Sequence, residues 1–287
     1  MTAPSARRNG PGFSDRPAWT RLQPVLAVLL GLTVIGIPLW LVVATAGKSR
    51  GEALTPNLAP PTDWQLLDNL RQVWTDGHVP AAFLGSLLVV VPAVAGVLVI
   101  GSMAAWVLAR RASRLTAVLY ALAISGIVLP PAVVTVVLLL RQLGLAGSAI
   151  GMIGVYMGIY LSTVIFFVTG FVRTVPASLE EAAQIDGASP TRVFVRIVLP
   201  TLRPVLATAT ILVCLYVWND VFYAFFVIGG RLDTLPLNLF RVASAGLYLN
   251  NWHLIFAYVI LMSLPLVVVL AVAQRKIISG ITSGAVK

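Results

Sequence analysis

Six stretches of this chain are too long and too apolar to fold in water, at residues 24–46, 81–109, 115–140, 150–172, 202–228 and 254–273. Each reaches the about 20 residues that a helix rising ~1.5 Å per residue needs to cross a ~30 Å hydrocarbon layer. A backbone group left unpaired in lipid costs several kcal/mol, which restricts such stretches to helices that close their own hydrogen bonds. An all-α, polytopic membrane protein with six transmembrane helices is therefore expected. Composition agrees, because 59% hydrophobic and 10% charged residues with a mean hydropathy of +0.94 leave too little polar surface to cover a soluble globule. The first stretch also has marks of a secretory signal, with arginines before it and Ala44-Thr45-Ala46 at its end. A cleavable apolar core is only about 7–15 residues long, so an uncleaved anchor helix is expected.

Charge sets the orientation. With the N-terminus inside, fourteen of the 20 Lys and Arg residues fall on the cytoplasmic side and six, Lys48, Arg50, Arg71, Arg141, Arg231 and Arg241, on the other. The positive-inside rule then puts both termini in the cytoplasm. The expected layout is a cytoplasmic tail at 1–23, a first transmembrane helix at 24–46, an external loop at 47–80, a core transmembrane domain at 81–275 carrying a cytoplasmic loop at 174–201, and a tail at 276–287. The part of the N-terminal tail from Met1 to about Arg21, rich in Pro, Gly, Ser and Arg, is expected to be disordered. The net charge of +10 reads as orientation and attraction to anionic lipid headgroups, not nucleic-acid binding. In the external loop, 63–70 reads as a short amphipathic helix with Trp64 and Trp74 as interfacial anchors. Gly151, Gly154 and Gly158 would let a neighbouring helix approach. Cys214, the only cysteine, is expected to pack.

The loop at 174–201 contains EEAAQIDGASPTRVFVRIVLP, residues 180–200, with three carboxylates and two arginines. Ser178 stands three residues before Glu181, a capping-box spacing. Pro176 stops the preceding helix. Ala182 and Ala183 favour a helix that Gly187 closes in a left-handed conformation. Ser189 and Pro190 restart one, with Val193, Phe194, Ile197 and Val198 on an apolar face, and it is expected to stop before Pro200. By pattern alone this helix, turn and helix reads equally as a loop packed beneath its own bundle and as a docking surface for another protein.

The spacing Glu181-Ala182-Ala183, three residues, Gly187, nine residues, Ile197-Val198-Leu199-Pro200 resembles the EAA signature of permease subunits from binding-protein-dependent ABC importers. The segments PPTDWQLLDNL, LRQLGLAGSAIG, VWNDVFYAFF and RKIISGITSGAVK resemble the carbohydrate-uptake branch, and in it the smaller permease of the maltose system. Two positions depart: Gly85-Ser86 stands where the family often has Asn-Ser, and Trp106 where it often has Tyr.

The resemblance implies a type I importer permease fold, in a prokaryotic plasma membrane, with the helix around Glu181 seated in a cytoplasmic ATPase subunit. Glu181, Ala182, Ala183, Asp186, Gly187, Ile197, Leu199 and Pro200 would then carry the coupling. It implies a second permease subunit, two ATPase subunits that bind ATP and Mg, and an extracytoplasmic solute-binding protein. No cofactor is expected in this chain. ATP binding would close the ATPase pair and switch the pathway from inward-facing to outward-facing.

Trp218, Asn219, Asp220 and Tyr223 combine aromatic faces with amide and carboxylate groups, a chemistry suited to sugars. Asp220 is the sole acidic residue within a predicted span; its place near the span's outer edge makes an interfacial anchor the competing reading. Gly47-Lys48-Ser49 looks like the end of a phosphate loop, but Val42 stands where that motif needs glycine, and the lysine reads as a snorkelling helix end. An ion-coupled secondary transporter would need several ionisable residues within spans. A membrane hydrolase would need more than His78 and His253, which lie in no catalytic or metal-binding spacing.

Overall fold

The computed structural model describes residues 18–285, apart from 130 and 245–249, with side chains described over 22–271. The expected disorder of the N-terminal tail to about Arg21 lies outside the described residues over 1–17; from Ala18 to Arg21 the chain is helical instead, as the first turn of α1. Every regular element among those described is helical. Helix α1 (Ala18–Gly31) runs through a π-turn, Leu32–Gly36, into α2 (Ile37–Gly47), making one apolar rod. Its side chains from Leu22 to Trp40 are largely exposed, on surface that lipid would cover.

The connection after α2 folds back over the bundle. Its helix α3 (Leu66–Asp76) starts three residues later than the pattern at 63–70 suggests. The Gln65 amide donates to the Gly47 carbonyl (2.8 Å), which ties the residue before α3 to the end of α2, and the buried Asn69 fixes the first turn there, its amide donating to the Ala46 carbonyl (2.8 Å) and the Lys48 carbonyl (2.9 Å). Trp64 meets Trp40 edge-on, with centroids 6.3 Å apart. Lys48 does not snorkel. It is 2% exposed, and its ammonium donates to the Asn57 side chain (2.7 Å) and carbonyl (3.1 Å), which satisfies a charge that lies outside any apolar span.

Helix α4 (Val79–Arg110), 32 residues and about 48 Å long, is the axis of the molecule. After it come α5 (Arg114–Val128) and α6 (Val133–Gln142), which meet at 113° around Pro131, where a proline cannot continue the ladder. Helix α7 (Ala149–Val172) lies along α4. Gly101 permits that approach, since a Cβ there would sit 2.6 Å from Val164. Gly154 and Gly158, expected to seat a helix, face an open apolar crevice of about 470 Å³ instead.

Beyond α7 the chain forms α8 (Ser178–Ile185), α9 (Pro190–Val193), a π-turn Phe194–Val198 and α10 (Leu199–Thr201), then turns by 76° into α11 (Arg203–Trp218). The predicted single span at 202–228 is divided, because α12 (Phe222–Ile228) begins separately. Asp220 causes the division: its carboxylate accepts the amides of Tyr223 (3.3 Å) and Ala224 (3.0 Å), starting a new helix rather than continuing the old one. Helices α13 (Leu235–Ser244) and α14 (Trp252–Ala285) complete the order, and α14 packs on α2, α3 and α11. Four helices are long and apolar enough to cross a membrane unbroken, or six spans if each bent pair counts as one.

The N-terminal part of α4 holds α13. Ser86 Oγ accepts the Leu235 amide at 2.8 Å, and a Cβ on Gly85 would lie 2.0 Å from the Asp233 carbonyl oxygen. The asparagine usual in the resembling family has no room at position 85. Gly85→Asn is expected to push the segment before α13 off α4 and to cost about 1–3 kcal/mol, the range for overpacking. A lower melting temperature of the detergent-solubilised protein checks this; an unchanged one contradicts the close approach.

Candidate functional site

At the opposite end of α4 stands the loop with the spaced signature. Helix α8 starts from Ala177 with no side-chain cap, so the expected Ser178–Glu181 capping box does not form. Glu180 is the residue drawn inward. It is 6% exposed and accepts Trp106 Nε1 on one oxygen (2.8 Å) and Arg110 Nε on the other (2.9 Å). Arg110 Nη2 bridges the same carboxylate (2.8 Å) and the Val175 carbonyl (2.9 Å). With Glu180 turned toward α4, Glu181 on the next position faces solvent.

The C-terminal end behaves as its glycine predicts. Gly187 has φ of 79°, its amide donates to Gln184 O (3.0 Å), and the Ala188 amide donates to Ala183 O (2.9 Å). These are the two bonds of a Schellman closure, which fixes the tip rigidly. Ser189 is extended and Pro190 begins α9, as expected. The second limb does not stop before Pro200. Its π-turn bonds the Leu199 amide to Phe194 O, and in this widened register the missing N–H of Pro200 interrupts nothing, so helix continues to Thr201.

The loop has two faces. Val193, Phe194, Val198 and Leu202 are buried, and Phe194 packs on Trp106 with centroids 5.5 Å apart. Ala183 and Leu199 are half-buried against the same core, and Ile197 and Pro200 are half-buried as well. Glu181, Ala182, Asp186 and Gly187 are exposed, beside Leu179 and an Ile185 that is 86% exposed. Among the described residues nothing covers this isoleucine on its rigid tip.

The second predicted cluster separates into scaffold and surface. Trp218 is buried, donates to Met262 O (3.2 Å) and meets Phe83 edge-on. Asp220 accepts the Tyr156 hydroxyl (2.8 Å) besides its two amides. Asn219 is exposed and Tyr223 half-buried. The sequence reading missed Tyr160 and Tyr216, whose rings lie parallel (3°) at 5.8 Å, with Tyr216 exposed one turn from Asn219. Tyr156 and Tyr160, four apart on α7, were the available signal. Among the described residues no cluster of His, Cys, Asp and Glu could hold a metal ion.

Residues 97–283 match the family described as the binding-protein-dependent transport system inner membrane component. The chain belongs to that family. The permease is 30% identical over 281 residues to the melibiose/raffinose/stachyose import permease MelC of Bacillus subtilis, covering 95% of this chain and 99% of that one. It is 31% identical over 279 residues to the diacetylchitobiose uptake permease NgcG of Streptomyces coelicolor, covering 94% and 90%. Its fold is shared with a chain in the crystal structure of a bacterial ABC transporter involved in importing the acidic polysaccharide alginate, at a TM-score of 0.76 and 21% identity over 93% of this chain and 99% of that one.

Proposed function

We propose that this permease is the membrane subunit of an ATP-driven importer of sugars or oligosaccharides, worked through α8 by a partner ATPase. The observation that carries the reading is the bare, rigidly closed tip of α8 on the spaced signature, with an 86% exposed Ile185 and the exposed Glu181, Ala182, Asp186 and Gly187 around it. Ala183 and Leu199 seat this tip on the bundle, with the half-buried Ile197 and Pro200 beside them in the second limb. The two permeases compared above bear the names of sugar uptake systems, which supports the substrate class. ATP and Mg sit on the ATPase pair. A second permease completes the pathway and a solute-binding protein delivers solute at the α3 and α13 end. The charge distribution supports placing α8 and both termini in the cytoplasm of a plasma-membrane protein.

Sugar passes the wall formed by Tyr160, Tyr216, Asn219 and Tyr223, stacking on exposed ring faces and bonding to the amide. Trp218 and Asp220 build that wall from behind. The ion-coupled alternative depends on Asp220, whose carboxylate is engaged by a phenol and two amides.

Glu181→Lys tests the docking. It is expected to leave the amount of inserted permease unchanged and to remove the ATPase subunit from complexes isolated in mild detergent. An ATPase retained at normal stoichiometry, with normal uptake, contradicts the assignment.

A further inference from the structure

The two positions at which the sequence departs from its family resemblance both lie on α4, 85 near one end and 106 near the other, about 30 Å apart at ~1.5 Å per residue. Each is where α4 grips another element. Trp106 and Arg110, one turn apart, take the two oxygens of Glu180, and Arg110 also holds the Val175 carbonyl. The last turn of α4 is thereby tied to both the entry and the first turn of α8. At the far end Ser86 accepts the Leu235 amide, and Gly85 leaves room for the Asp233 carbonyl, so α13 is seated directly on α4. Between these grips α4 runs on as helix through Pro92, whose missing N–H omits one bond of the ladder, and it is held along its length by packing on α7.

A tether made of two donors on two carboxylate oxygens resists rotation as well as separation, which a single contact does not. Close-packed helices move as rigid bodies rather than by continuous deformation, so a displacement of α8 reaches α13 if the tether holds. We infer that Trp106, Arg110 and Glu180 are positioning residues that make α4 a push rod, passing displacement of the coupling helix to α13 at the opposite end of the bundle. The inference rests on the docking of an ATPase at α8. It adds which residues, outside the signature triplet, would carry that displacement from α8 into α4 and on to α13.

The test uses the assembled transporter, with both permeases and the ATPases, in a Cys214→Ala background carrying Ser244→Cys on α13 with a spin label. Adding a non-hydrolysable ATP analogue is expected to change the label's mobility in the parent. Glu180→Gln should retain the ATPase subunits and their hydrolysis while the response at α13 falls about tenfold, within the range of allosteric couplings. Trp106→Phe, which keeps the ring but loses the donor, should weaken the response. Trp106→Tyr, which keeps a donor, should preserve it. An undiminished response in Glu180→Gln and Trp106→Phe overturns the push rod. So does loss of ATPase binding in both, which would make the tether merely part of folding α8. A parent that retains the ATPase subunits but shows no response at α13 also overturns the push rod, whereas a parent from which the ATPase subunits are absent overturns the docking reading itself.

Discussion

Replacing Gly187 with proline is expected to leave the permease in the membrane and to stop transport. Proline holds φ near −65°, whereas the chain at this point turns at φ of 79°. The substitution also removes the amide that donates to Gln184 O. Backbone strain of about 1–3 kcal/mol, with a lost hydrogen bond of about 1 kcal/mol, is enough to unwind a helix of two turns. Losing about 3 kcal/mol from the docking-competent form reduces its population roughly a hundredfold. The bundle is spared, because Gly187 is exposed and nothing lies within 4 Å of where its side chain would be. Gly187→Ala should show a milder defect, since a left-handed residue bearing a Cβ costs about 1–2 kcal/mol. Uptake assayed beside an immunoblot of the membrane fraction separates the two effects. Normal uptake by the proline variant would mean that the closed tip of α8 is not the part on which the ATPase acts.

Asp220→Ala is expected to act on stability. It strips the acceptor from the Tyr156 hydroxyl, on a residue that is 2% exposed, and from the amides of Tyr223 and Ala224. Leaving such donors unpaired costs about 1–3 kcal/mol for each fully buried group, so a loss of about 3 kcal/mol is expected. Asp220→Asn keeps one acceptor oxygen and should lose roughly half as much, while Tyr156→Phe should lose about 1 kcal/mol. Melting temperatures of the three variants in detergent give the order. A stable Asp220→Ala protein that binds no sugar would reverse the assignment, making the carboxylate a ligand rather than the start of α12.

What the sequence disclosed depended on how local the determining physics is. The all-helical, apolar character of the chain, the glycine closing α8 and the Ser189-Pro190 restart are set within a few residues, and they were legible; the extent of the spans was legible only in part, since the stretches at 115–140 and 202–228 are broken. Glu180 was not, because its partners Trp106 and Arg110 lie 74 and 70 residues earlier and nothing at that distance announces a shared carboxylate. The capping-box spacing misled for the same reason: the tertiary grip on Glu180 turns the next carboxylate outward. Asp220 was noticed as an anomaly in an apolar run, but not as the reason that run divides. The departure at Gly85 explained itself only when the Asp233 carbonyl was found against it. Trp218 drew attention by its chemistry, although the exposed ring beside it is Tyr216.

Reconstitution into proteoliposomes separates a driven subunit from a self-sufficient transporter. With the second permease, the ATPase pair inside and the binding protein outside, labelled oligosaccharide should accumulate only when ATP is enclosed, and Gly187→Pro should end the accumulation. Uphill accumulation by this chain alone, or by the full complex under an ion gradient without ATP, would contradict a permease worked through α8.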